Sequence, residues 1–312
     1  MTGRIMAGLA TQTRWTAEAM EARVVRYGEL RPCYNAFIDT RTPGSEAKEN
    51  FTIIGPGVSE NPAQFVHIAE PHGFNIGAAR QPPGCVNSQH SHDTAEVFVV
   101  HTGHWRFDLG EHGDDAQVVI GPGDVISLPT GMFRGFTNIG IETGFLWAVL
   151  GGNDPGRVLW APQVFDMAAD YGLVLLENGQ LIDTTAGQPI PEGVAPMPRT
   201  SAEQVAALHR ASARDAERLV WRAKRCTGVT PVIGQGAPLD WPHPFTLDRM
   251  DAVSDRMTPE APEVLFVHMG ALTVSWDGGA LVLAAGDTMT VPAELEPTLA
   301  GDAVVYRVSG LI

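Results

Sequence analysis

Glu96 is followed by six residues and Gly103, and the same interval separates Glu263 from Gly270. Five residues lie between Gly123 and Pro129, as between Gly286 and Pro292. A pattern that recurs in this way at the two ends of a chain marks one structural unit built twice. Around each copy the sequence breaks into short β-branched and aromatic runs punctuated by Gly, Pro and Asp, as antiparallel strands require. The first group holds EVFVV at 96–100, HWRFDL at 104–109, QVVI at 117–120, DVISL at 124–128 and GFLWAVL at 144–150. The second holds EVLFVH at 263–268, ALTVSW at 271–276, ALVLA at 280–284, DTMTV at 287–291 and AVVYRV at 303–308. The fold predicted is dominated by β-structure, with two barrels joined by a helical connector.

Residues 184–200 are rich in Pro and Gly and lack periodicity, so the domain boundary falls there. After them, 201–225 reads as one helix, opened by Ser201 and carrying Val205, Leu208, Ala216 and Leu219 on one stripe, with the small Ser212 between them. Shorter helices are expected near 162–171 and 16–25. The units are therefore 1–160, a first barrel with an N-terminal extension; 161–229, the connector; and 230–312, a second barrel.

Charge and cysteine content narrow the partners. A formal net charge of -15 repels nucleic acid and anionic membrane surfaces, which excludes both as partners. Cys33, Cys85 and Cys226 are too few and too scattered for a disulfide framework or a metal knuckle. No signal-peptide core occurs in the first 16 residues, and no stretch reaches membrane-spanning length. A cytoplasmic protein with a small-molecule partner is expected.

Chemistry concentrates between 84 and 138. Residues two apart on a strand share a face, so His90 and His92 project together into the barrel, and Glu96 joins them from beyond a bend. Two imidazoles and a carboxylate suit Fe(II), Mn(II), Ni(II) or Zn(II), and leave positions open for a substrate. The spacing Gly84-x5-His90-x-His92-x3-Glu96-x6-Gly103 matches the first cupin motif. Gly123-x5-Pro129-x-Gly131-x2-Arg134-x3-Asn138 matches the second, with Arg134 where the family usually has histidine. The chain thus resembles the cupin superfamily across both β-rich regions, and the resemblance implies two jelly-roll barrels.

Arg134 cannot ligate a metal, because its guanidinium stays protonated and offers no lone pair. It either grips a substrate carboxylate or phosphate beside a three-ligand metal, or pairs with Glu96 in the metal's place. Trp105, Phe107, Phe136 and Trp147 are expected to wall the pocket, and Asn138 to contribute to substrate binding. His101, His104 and Arg106 should point outward, while His67 and His72 read as surface or satisfied histidines. Cys85 lies in the loop before the HxH strand, and nothing there suggests an activated thiolate.

At the repeat offsets, His90 and His92 become Met257 and Pro259, while Arg134 and Asn138 become Pro297 and Gly301; only Glu263 survives. The second barrel is expected to be structural or dimerising. A bicupin of this length with its ligands in the first barrel resembles the gentisate dioxygenase-type enzymes, which have a third histidine. That resemblance implies a metal-dependent enzyme of dioxygenase type, and the residues themselves point to a small anionic metabolite, with Glu96 and Arg134 expected to be catalytic. A metal-free carboxylate-binding protein and a metal-assisted isomerase or lyase are the alternatives. A homodimer is expected for barrels of this kind.

Overall fold

The computed structural model describes residues 15–239 and 241–311. The leader reading of residues 1–14 falls outside the described residues. Two jelly-roll barrels are present, and the repeat seen in the sequence is their shared frame. Glu96 and Glu263 each open a strand, Glu96–Thr102 and Glu263–Trp276. Gly123 and Gly286 each sit in the following turn at positive φ, 84° and 92°, where a residue with a Cβ would be strained.

The first barrel closes two sheets over one another. One has the order Val220–Trp221, Val125–Leu128, Glu96–Thr102, Gly144–Gly151, Phe74–Gln81, Glu49–Ile54 and Val66–Ile68. The other runs Val158–Trp160, Val86–His92, Arg134–Asn138, Trp105–Leu109 and Ala116–Ile120. In the second barrel, one sheet of long strands, among them Phe245–Arg256, Glu263–Trp276 and Thr298–Gly310, encloses an apolar core.

Strand parity decides what each side chain of the shared wall meets. Phe98, Val100, Leu146 and Ala148 turn into the first barrel, whereas Val97, Val99, Phe145, Trp147 and Val149 turn toward the second. There they pack on Phe245, Leu247, Val264, Phe266 and Val308. With both faces covered, the Gly144–Gly151 strand is buried at every position. Trp147 is therefore not a pocket wall: its ring stacks on Phe266, centroids 4.8 Å apart and 9° between planes, and its Nε1 donates to Thr288 Oγ1. His101 points out of its own barrel as expected, but into this interface, where it packs on Phe266 and His268.

The single helix expected at 201–225 is two short ones, Ala202–Ala206 and Ala213–Arg218. Ser212 is the reason. It caps the second helix, accepting from the Asp215 amide while the Asp215 carboxylate accepts from the Ser212 amide. The segment between them crosses to Gly131, whose carbonyl accepts from the His209 amide. The Pro162–Asp170 helix forms as expected, and Thr16 caps Ala17–Glu21.

The domain limits also move. Met20 lies in the core of the second barrel, and Val24–Val25 pairs with Thr288–Val291 at the edge of its sheet. In return, Val220–Trp221 pairs with Val125–Ile126 of the first barrel. Apolar burial set these limits, because Met20 and Val24 find cover only on the C-terminal sheet. Residues 15–25 thus belong to the second barrel, and most of the connector to the first.

Candidate metal centre

Register brings the sequence-predicted ligands together. The Val86–His92 and Arg134–Asn138 strands are antiparallel neighbours with Arg134 opposite His90, and Glu96 begins a strand of the facing sheet. His90, His92 and Glu96 are all buried and each offers one ligand atom, the three lying within 4.8 Å of one another. The two imidazole rings stand 5.1 Å apart at 87°. Among the described residues no other group of three metal-ligating side chains meets in this way.

The protonation states suit a metal. His90 Nδ1 donates to the Ser88 carbonyl at 2.7 Å, which leaves Nε2 with its lone pair. Burial, reinforced by the charge of Arg134, pushes the His90 pKa down to about 3. The same two causes and His90 itself hold His92 well below the usual imidazole range. Both rings are neutral at physiological pH. His92 Nδ1 is buried with no hydrogen-bond partner, and Nε2 faces Glu96 Oε1 at 3.6 Å. A buried imidazole left without a hydrogen bond is what a ligand awaiting its cation looks like, and the donor set N, N, O fits a divalent transition metal.

Arg134 is fully buried, and its hydrogen bonds are taken inside the protein. Nε and Nη2 both donate to Glu96 Oε2, at 3.2 and 2.9 Å, and Nη1 donates to the Met132 carbonyl at 3.0 Å. It does not line the cavity. A substrate clamp would have to face the cavity, so the clamp expectation gives way: Arg134 pairs with Glu96, but on Oε2 alone, and the group of His90, His92 and Glu96 stays together beside it. Burial pushes the Glu96 pKa up, and Arg134 opposes it. One carboxylate oxygen is thereby tied back, and the other is left facing His92.

The cavity continues from these residues along Phe98, Phe136, Ala148, Leu150, Val158 and Trp160. Phe136 is a wall, as expected. Trp105 and Phe107 are not; they are buried behind it in the barrel core. Asn138 is also outside the cavity, its amide donating to the Gln81 and Glu142 carbonyls and its oxygen accepting from the Gly140 amide. His67 is satisfied at both ring nitrogens, by the Arg31 amide and the Thr52 carbonyl.

Trp160, Asn50, Gln64 and Asn87 line the cavity without having been singled out in the sequence. The Val158–Trp160 strand pairs with the HxH strand and sets Trp160 5.4 Å from the His90 ring. No motif marks these positions.

Behind the ligands lies a buried polar layer. Asp39 Oδ2 accepts from the Ser88 amide at 2.9 Å, and Lys48 pairs with Asp39 while donating to Asn87 Oδ1. Glu60 accepts from Trp160 Nε1 at 2.6 Å and from the Ile38 amide at 2.7 Å. Burial nevertheless pushes the Glu60 carboxyl up to about 8. Between an ordinary carboxyl pKa and about 8 the folded state keeps a proton that the unfolded state has released. Stability should therefore fall as pH rises through this window, with a slope of at most about 1.4 kcal/mol per pH unit. Urea unfolding of Glu60→Gln between pH 5 and 8 should show a flatter profile than wild type; identical profiles would mean that Glu60 is ionised in the fold.

The second barrel offers no comparable site among the described residues. Its interior is filled by Met250, Leu265, Val267, Leu272, Leu283 and Leu299, with Met257, the counterpart of His90, buried among them. Glu263, the surviving ligand-type residue, accepts from Ser309 Oγ at 2.8 Å.

Comparison with known proteins agrees with this architecture. Residues 78–149 match the family described as Cupin domain. No curated protein matches the chain in sequence. Among solved structures, bacterial pirin YhhW from Escherichia coli in complex with nickel(II) is 10% identical at a TM-score of 0.52, over 93% of this chain and 99% of its own. Oxalate decarboxylase from Bacillus subtilis at pH 4.6 is 11% identical at 0.52, over 92% of this chain and 76% of its own. Vicilin from Solanum melongena is 13% identical at 0.53, over 92% and 84%. At such identities the likeness concerns the fold, which is that of the two-barrel cupins.

Proposed function

We propose that this protein is a metal-dependent cupin enzyme in which His90, His92 and Glu96 hold a divalent ion and the substrate is a small carboxylate-bearing metabolite. The observation that carries the reading is the pair of buried imidazoles, His90 with Nδ1 spent on the Ser88 carbonyl and His92 with Nδ1 unpartnered, beside a carboxylate oxygen that Arg134 leaves free. A bound Fe(II), Mn(II), Ni(II) or Zn(II) would supply Lewis-acid polarisation of a coordinated substrate oxygen. Arg134 is then a positioning residue: it favours the ionised form of Glu96 and fixes which oxygen faces the histidines. Its charge cancels that of Glu96, so a divalent ion leaves two uncompensated positive charges in a buried site. An acid group on the substrate answers that charge. Phe98, Phe136, Leu150 and Trp160 keep water from the reacting atoms.

Oxidation of the dioxygenase type is the leading reaction, supported by the motif spacing and this apolar wall. Isomerase or lyase chemistry with Glu96 as general base is less well supported, since Oε2 already accepts two bonds from Arg134. One observation favours a metal-free carboxylate binder instead, namely that Glu96 already has its counter-charge. Elemental analysis of anaerobically purified protein, with acetate calorimetry before and after chelation, separates the two. Close to one metal per chain and chelator-sensitive acetate binding are expected. Metal-free protein that binds acetate equally well would overturn the enzyme reading.

A further inference from the structure

We infer that the cavity carries a second recognition point, the side-chain amides of Asn50 and Gln64, which takes an oxygen acceptor on the substrate remote from its acid group. The inference rests on the reading of the metal end given above. Asn50 is only 7% exposed and lines the cavity, yet no described residue accepts from its Nδ2. Gln64 lines the same cavity, and its buried Nε2 is likewise unpartnered. Leaving a buried amide donor unmade costs about 1–3 kcal/mol, so two in one cavity call for a partner that the protein does not supply.

Asn75, by contrast, donates to the Gly152 carbonyl and accepts from the Gly57 amide. Gln81 is also buried with its amide unpartnered, but it lies outside the cavity. The backbone of Asn50 is pinned in both directions to Cys33, at 2.8 and 3.1 Å, which fixes the position of its Cα beside the cavity. Along the wall that Asn50 shares stand Gly77, Ala78, Ala79 and Ala148, whose small side chains leave room for a chain of a few atoms. Lys48, in the layer behind the ligands, is committed to Asp39 and Asn87. The far end therefore offers neutral N–H donors, which select a keto, hydroxyl or second carboxyl oxygen.

Matched acids test this in the metal-loaded protein. Calorimetry should give 4-oxopentanoate or 5-oxohexanoate an affinity about fivefold or more above that of the corresponding alkanoate, pentanoate or hexanoate, as one or two amide hydrogen bonds would produce. In the near-isosteric Asn50→Leu, Gln64→Met variant the preference should vanish while alkanoate affinity stays within about twofold. Equal binding of oxo acid and alkanoate by the wild type, which requires no variant to fold, overturns the inference. So does a preference that survives in the double variant. Failure of every acid to bind would instead sink the metal-and-carboxylate reading, and this one with it.

Discussion

Replacing both His90 and His92 with alanine should reduce bound metal from about one ion per chain to background. A lone carboxylate cannot hold a divalent transition metal against water, because affinity in such sites comes from several directed donors acting together. The protein should remain folded, since both rings are neutral and neither anchors a salt bridge in that state. The His92 Nδ1 atom has no hydrogen-bond partner, and the bond His90 Nδ1 makes is to a carbonyl two residues away in its own strand. Metal content by elemental analysis, read beside a circular dichroism spectrum, checks the expectation. Either single variant should lose most of the metal as well. Equal stoichiometry in wild type and double variant would remove these residues from any metal site.

Arg134→Leu should destabilise the fold by about 3–5 kcal/mol, because it leaves Glu96 as a buried carboxylate without a counter-charge. Glu96→Gln should cost a comparable amount by stranding the guanidinium. The double variant should lose much less than the two singles together, and the difference is the coupling between them. Urea unfolding of the four proteins measures it; additive losses would mean that the pair is not coupled. A divalent ion adds a further sign. In Arg134→Leu the ion becomes the counter-charge of Glu96, so adding zinc should raise the stability of this variant more than that of wild type.

The ligands were legible because cupin spacing is local: His90, His92 and Glu96 lie within seven residues, and strand periodicity alone turns the histidines to one side. The partner of Arg134 was legible only as one of two possibilities, since cross-strand register, not sequence distance, sets the guanidinium on Glu96. Trp147 shows where the reading failed. Its strand is apolar at almost every position, so the sequence does not say which parity faces the cavity and which faces the other barrel. Ser212 failed differently, as a small residue on an apolar stripe that proved to be a helix cap. Asn50 lies too far from the motif to be noticed, and its place in the cavity arises only when the barrel closes.

The exchange of edge strands has a consequence for how the chain is made. Residues 26–221 form an unbroken segment that contains the first barrel, its helices and the His90, His92 and Glu96 group, whereas the second barrel is assembled from material on both sides of that segment. Trp276 Nε1 donates to the Trp15 carbonyl across 261 residues of sequence, so this closure must wait until nearly the whole chain has been synthesised. The barrel that carries no ligands is thus the last to be completed, and it closes over a neighbour already built. Each shares with the other the apolar wall of Trp147 and Phe266, so loss of one exposes the other. The second barrel acts here as a clasp, and a ribosome that stops early releases a first barrel with its outer wall bare.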